Sequence, residues 1–151
     1  MEMRLLRADE THLTIPCVAA LAVYHNGVST NHEVTYPTTS PEHCAEVMAE
    51  GIRTNSGKTM GVFDGDKLIA FCQITIWAEK RRGELSYLFV NDEYRGLGLG
   101  KKLIDWAMEE FEQSPADMVD IRVVEGNPTE TLYERYDFHR RISVMTWFKK
   151  K

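Results

Sequence analysis

Cysteine is scarce in this chain: Cys17, Cys44 and Cys72 are the only three. Their number is odd, no two form a CxxC, and no histidine stands at metal-ligand spacing from any of them. A disulfide framework and a zinc site are therefore not expected, no metal is predicted, and a reducing cytoplasm fits best. Long apolar runs are missing too. Nothing approaches the ~18 residues of a membrane span, and the opening Met1 to Arg7 lacks the apolar stretch of a signal peptide. Excess positive charge is also absent. Eighteen Lys and Arg stand against 23 Asp and Glu, a net charge of −5, which does not suit nonspecific nucleic-acid binding. The expected partners are thus neither nucleic acid nor membrane.

What is present is ordinary globular composition, 43% hydrophobic and 27% charged over 151 residues. One domain, 1–151, accounts for that length without an internal repeat or linker. Met3 to Arg7 reads as a short strand. Leu13, Cys17, Ala20, Leu21 and Tyr24 recur at helical spacing, with a stop at Asn26-Gly27. Pro16 either sits in the first turn of that helix or bends it. Residues 28–39 read as a polar loop. Ser40-Pro41 then opens a second helix, a capping hydroxyl followed by proline, which runs to about Arg53.

Thr59–Phe63 and Leu68–Trp77 flank Asp64-Gly65-Asp66, a hairpin signal. Glu84–Asn91 is a further strand, and a helix with Leu103, Ile104, Ala107, Met108 and Phe111 on one face follows it. Met118–Val124 reads as a strand. Asn127-Pro128 opens a helix, with Glu130 in capping-box position, and Phe138–Phe148 reads as a closing β segment. The order β-α-α-β-β-β-α-β-α-β predicts an α/β (α+β) fold, a mixed sheet covered by helices. Trp77 and Trp147 read as packing residues.

The most informative segment is Arg95-Gly96-Leu97-Gly98-Leu99-Gly100-Lys101, between a strand and a helix. Backbone N–H groups there can converge on an anion, the helix N-terminus adds positive charge, and Arg95 and Lys101 can add more. The spacing is neither a P-loop nor GxGxxG, which counts against a nucleotide site. A glycine turn that merely lets helix and strand pack closely is the plain alternative.

Arg95 to Gly100 matches R/Q-x-x-G-x-G/A, the pyrophosphate signature of the GNAT family of acyl-CoA N-acyltransferases. Downstream, Asn127-Pro128 and Leu132-Tyr133-Glu134-Arg135-Tyr136-Asp137-Phe138 resemble that family's N-x-x-x-x-L-Y-E-K-x-G-F segment. The resemblance implies a mostly antiparallel sheet splayed between its fourth and fifth strands, with acetyl-CoA as co-substrate in the cleft. It implies that the backbone of Leu88, Phe89 and Val90 meets the acetyl carbonyl and pantetheine, with a free N–H near Phe89 as oxyanion donor. Residues 95–101 would hold the pyrophosphate, Asn127 would contact the pantetheine, and Tyr133 would be the general acid beside the sulfur.

Glu84 lies eleven positions before Arg95, the spacing at which the histone-acetylating branch places its strand glutamate, and is the candidate base. Another branch carries a glutamate five residues before the asparagine. Here that residue is Arg122, leaving Asp120, Glu125 or water as substitutes for Glu84. Tyr136 reads as structural. Asp137 replaces the family's glycine, and Asp tolerates a positive φ better than most residues. In the family the region of His25, His32 and Tyr36 often lines the acceptor site, though loop histidines more often simply face water. The implied activity is acetyl transfer from acetyl-CoA to a primary amine on a small amine, aminoglycoside or protein, without a covalent enzyme intermediate. An acyl-CoA-binding sensor is the alternative. Homodimers are common in the family, and no feature of the sequence decides the question.

Overall fold

The computed structural model describes residues 1–31 and 33–150, so His32 lies outside the described residues. The elements, in chain order, are β1 (Glu2–Leu5), α1 (Ile15–Val28), α2 (Pro41–Arg53), β2 (Gly57–Asp64), β3 (Lys67–Trp77), β4 (Arg82–Val90), α3 (Leu99–Glu112), β5 (Met118–Ile121) and α4 (Glu130–Glu134). The strands lie in the order β1-β2-β3-β4-β5. All neighbours are antiparallel except β4 and β5, which run parallel with α3 as their crossover. The predicted mixed sheet is present.

Local chemistry explains the boundaries. Pro16 sits in the first turn of α1, where its missing N–H costs nothing. Ser40 Oγ accepts the His43 backbone N–H and starts α2 as expected. Gly65, at φ 60, makes the tight turn between β2 and β3.

Helices cover both faces of the sheet, so β3 is buried from Leu68 to Gln73 rather than alternating. On one face Leu99, Leu103, Ala107 and Phe111 of α3 pack against Cys72, Ile74 and Leu85. On the other, Cys17 and Val18 of α1 and Met48 of α2 pack against Phe71 and Phe89. Burial of such side chains stabilises by about 1.5–3 kcal/mol each.

Two sequence expectations need correction. β5 ends at Ile121 and not at Val124, so residues 122–124 leave the ladder. The segment from Phe138 to Phe148 forms no strand, and Val144, Met145 and Trp147 are largely exposed. Strand propensity reflects packing on a pleated neighbour, and these side chains have no such neighbour here. Trp147 is therefore not a packing residue.

An ionic cluster closes the end of the sheet near β1. Buried Glu10 accepts from Arg4 Nη2 at 2.8 Å, Arg7 Nη1 at 3.0 Å and the Arg7 backbone N–H at 3.2 Å. The Arg4 hydrogen bond is the main influence holding its carboxyl below the ordinary 4.5, against the opposing effect of burial. A depressed carboxyl contributes stability that is complete above its unfolded pKa and is lost as pH falls through the folded one. Stability is expected to fall as the pH drops below about 4.5, less steeply in Glu10→Gln. Denaturation midpoints measured from pH 3 to 7 check this, and equal slopes in both proteins would refute it.

Candidate active site

The β4–β5 ladder stops at Leu85 and Ile121, while β4 continues to Val90. From Ser86 onward β4 has no partner on that side, and a cleft of about 1290 Å³ opens there. The Asn91 N–H donates to Ile69 O at 2.8 Å, which fixes the phase of the β3–β4 ladder. In an antiparallel ladder bonding groups alternate, so Phe89 N–H also faces β3. The amides of Leu88 and Val90 therefore face the cleft. The free N–H groups near Phe89 are those of its two neighbours, not its own.

At the end of β4 the chain turns through Gly96 (φ 82) and Gly98 (φ 78). A Cβ at either would meet nothing within 4 Å, so glycine is needed there for the backbone conformation and not for space. The first intrahelical bond of α3 is Lys102 N–H to Gly98 O at 3.1 Å. The amides of Leu99, Gly100 and Lys101 thus have no helical acceptor and point out of the N-terminus. Amides left open at a helix start suit an anion.

Side-chain charge contributes less here than the sequence suggests. Arg95 pairs with Asp92 at 3.0 Å and lies 5.2 Å over the Tyr24 ring. Lys101 Nζ is held by Asp105 at 2.7 Å. Arg95, Gly96, Gly98, Leu99 and Gly100 line the cleft, whereas Leu97 and Lys101 do not.

A β-bulge shapes the other end. Gln73 faces Tyr87 and Ile74 faces Leu85, which leaves Ser86 as the extra residue. The bulge puts Glu84 and Tyr87, three positions apart, on the same face. Both line the cleft. Ser86 Oγ donates to Glu84 Oε1 at 3.0 Å, and Tyr87 Oη donates to Cys44 Sγ at 3.2 Å. Burial, then Cys44 and the Glu84 charge, push the Tyr87 phenol well above its usual pKa. His25 also lines the cleft, its ring edge-on to Tyr36, and burial lowers its pKa. Trp77, expected to be a packing residue, is 40% exposed at the cleft margin. Neither the bulge nor the Cys44–Tyr87 contact could be read in advance, because neither follows from spacing.

The last segment reaches the cleft through Asn127 and Tyr133. Asn127 does not cap α4, which starts only at Glu130. Its Oδ1 instead accepts from Tyr24 Oη at 3.4 Å, from the Thr129 N–H at 3.0 Å and from Thr129 Oγ1. Its Nδ2 has no partner among the described residues and remains a free donor. Tyr133 is 9% exposed and packs edge-on against Phe138. Its hydroxyl makes no hydrogen bond among the described residues, and burial pushes its pKa to about 12. Tyr136 is structural as expected, donating to Asp105 Oδ1 at 2.8 Å. Asp137 adopts φ 65, the conformation inferred for that position.

Residues 25–138 match the model of the Acetyltransferase (GNAT) family. The chain belongs to that family. Among solved structures, this GNAT protein resembles a GCN5-related N-acetyltransferase from Ralstonia eutropha JMP134, with TM-score 0.76 and 15% identity over 97% of each chain. It also resembles the ribosomal-protein-alanine N-acetyltransferase of Brucella melitensis biovar Abortus 2308, with TM-score 0.66 and 17% identity over 99% of this chain and 100% of that one. The PaiA N-acetyltransferase of Thermoplasma acidophilum, in complex with coenzyme A, gives TM-score 0.66 and 17% identity over 90% and 87%. At such identities the likeness concerns the fold. No curated protein matches the sequence. Among the described residues no helix is long and apolar enough to cross a membrane.

Proposed function

We propose that this GNAT protein moves an acetyl group from acetyl-CoA directly to the primary amine of an acceptor. The observation that carries the reading is the convergence on one cleft of three unsatisfied donor sets. These are the amides at the start of α3, the open edge of β4, and the Tyr133 hydroxyl. They suit, in that order, a pyrophosphate, a thioester carbonyl with its pantetheine, and a departing sulfur. Acetyl-CoA supplies the activated acyl group when bound. Asn127 Nδ2 is free to meet a pantetheine carbonyl.

The residues divide the work as follows. An alkyl ammonium has a pKa near ~10.4 and must lose a proton before it attacks. Glu84 is the carboxylate placed to take it, held by Ser86 beside the open edge of β4. Asp120, the substitute named from sequence, is already engaged by Arg82 at 2.6 Å and Arg141 at 3.3 Å, which favours Glu84. The Leu88 and Val90 N–H groups face the side on which negative charge develops on the carbonyl oxygen, and fixed donors there stabilise it. Tyr133 holds its proton at working pH and can donate it toward the sulfur.

Thiol release from acetyl-CoA against a panel of amines, peptides and aminoglycosides tests the reading. Release with any acceptor supports it. Clear acetyl-CoA binding with no release from any amine would favour a sensor. With an acceptor in hand, Glu84→Gln is expected to lower kcat/KM at pH 7 by about 10²-fold. The loss should shrink as pH rises, because the free amine then deprotonates without help. A variant with the wild-type pH profile would exclude Glu84 as the base.

A further inference from the structure

Four charged side chains with carboxylate or guanidinium groups line the cleft among the described residues: Glu50, Glu84, Arg95 and Arg122. Two of them already have ionic partners. Glu50 pairs with Arg53 at 3.2 Å, and Arg95 pairs with Asp92. Glu84 and Arg122 have none among the described residues, nor do they pair with each other.

The register places these two groups. Glu84 stands opposite Asp120 in the parallel β4–β5 ladder. Ile121, the last residue of β5, stands opposite Leu85, and Arg122 follows it directly where the ladder ends. Glu84 and Arg122 both line the cleft. Arg122 thus comes two residues after Asp120, the partner of Glu84, at the end of the cleft away from the glycine turn after Val90. Asp120 cannot neutralise it, being held by Arg82 and Arg141.

We infer that Arg122 is the anion-receiving residue of the acceptor site. The acceptor would carry a carboxylate or other anionic group besides the amine that faces Glu84. This rests on the transferase reading and narrows it. A guanidinium and a carboxylate left open in one cleft recognise a molecule carrying both opposite charges. A fork of five donors suits a planar anion in particular. Amines with no anion leave Arg122 unused. The same chemistry arises in small amino acids and in peptides with an acidic residue near the N-terminus.

Matched pairs that differ only in the anion test this. They are β-alanine against propylamine, phosphoethanolamine against ethanolamine, and the peptide amides Ala-Glu-Ala against Ala-Gln-Ala. In thiol release the anionic member should be preferred about ten- to a hundredfold in kcat/KM, the worth of one charge-assisted hydrogen bond. Arg122→Gln should abolish that preference and Arg122→Lys should keep part of it. Preference in the peptide pair alone would identify a peptide acceptor, and in the small pairs alone a small molecule.

A preference that survives Arg122→Gln, or favours the neutral members, overturns the inference. So does a tenfold loss of coenzyme A affinity in Arg122→Gln, which would place Arg122 on the donor side. If no amine is acetylated, the transferase reading fails separately. Calorimetric titration of the CoA-bound protein with the same pairs then decides the subsite. Binding of the anionic member that Arg122→Gln removes supports it, and binding that is absent or unaltered refutes it.

Discussion

Tyr133→Phe is expected to lower turnover by about 10²–10³-fold while leaving coenzyme A binding and folding intact. The substitution removes one oxygen. The ring stays packed against Phe138, and no hydrogen bond among the described residues is lost, because the hydroxyl makes none. Burial raises the phenol to about 12, so it is protonated throughout the working range. A thiol has a pKa of ~8.5, which makes full transfer from Tyr133 to a thiolate uphill by roughly 3–4 pH units. On the proposed reading Tyr133 therefore acts chiefly by donating a strong hydrogen bond as charge builds on sulfur. The pH–rate profile should show no Tyr133 limb below about pH 10. Steady-state kinetics and calorimetric binding separate the outcomes. Full activity in the variant removes Tyr133 from the chemistry, whereas weaker binding with unchanged turnover makes it a binding residue.

The second large effect concerns Gly126→Ala. Gly126 has φ 95, and an added Cβ would overlap the Val28 carbonyl oxygen and lie 3.2 Å from Thr30 Cγ2. The first obstacle is backbone, at the end of α1, and the Thr30 N–H is bonded to Glu125 O at 3.2 Å. Neither segment can withdraw without breaking that contact. Strained φ and backbone overlap together are expected to cost about 3 kcal/mol or more. For a chain of this size that is a fall of roughly 6–12 °C in Tm. Gly27→Ala is the matched control. Gly27 lies within α1 with nothing within 4 Å of its added Cβ, so Ala there should be neutral or slightly stabilising. If Gly126→Ala still folds, its loss should appear as weaker coenzyme A binding, because Asn127 moves with the strained residue. Equal melting temperatures for the two variants would show that the segment yields more easily than its contacts suggest.

The fold was legible wherever a local rule decides the backbone. Ser40-Pro41 starts a helix, Gly65 turns a hairpin, and Gly96 and Gly98 supply the positive φ that brings α3 in behind β4. That the glycine turn and Tyr133 border one cleft was legible from motif spacing. What remained hidden depends on contacts distant in sequence. No periodicity reveals that Ser86 is the extra residue that turns Glu84 and Tyr87 to one side. The length of β5 depends on where β4 ceases to pair, and residues 138–148 show that strand composition without a neighbour makes no strand. Lys101 was read as a phosphate ligand although Asp105, one helical turn on, competes for it.

The loop between α1 and α2 has a consequence for how acceptor preference can change. Asn26 closes it with two hydrogen bonds to one residue, Nδ2 to Tyr36 O at 2.9 Å and Oδ1 from the Tyr36 N–H at 2.7 Å. The clasp fixes both ends of the loop, so its length and composition can drift at little entropic expense. Tyr36, Pro37, Thr38 and Thr39 border the cleft just past the clasp, far in sequence from the glycine turn. The donor half and this rim are thereby modular. On the proposed reading, substitution along residues 36–39 can retune acceptor selectivity over many generations of sequence change while the glycine turn stays untouched.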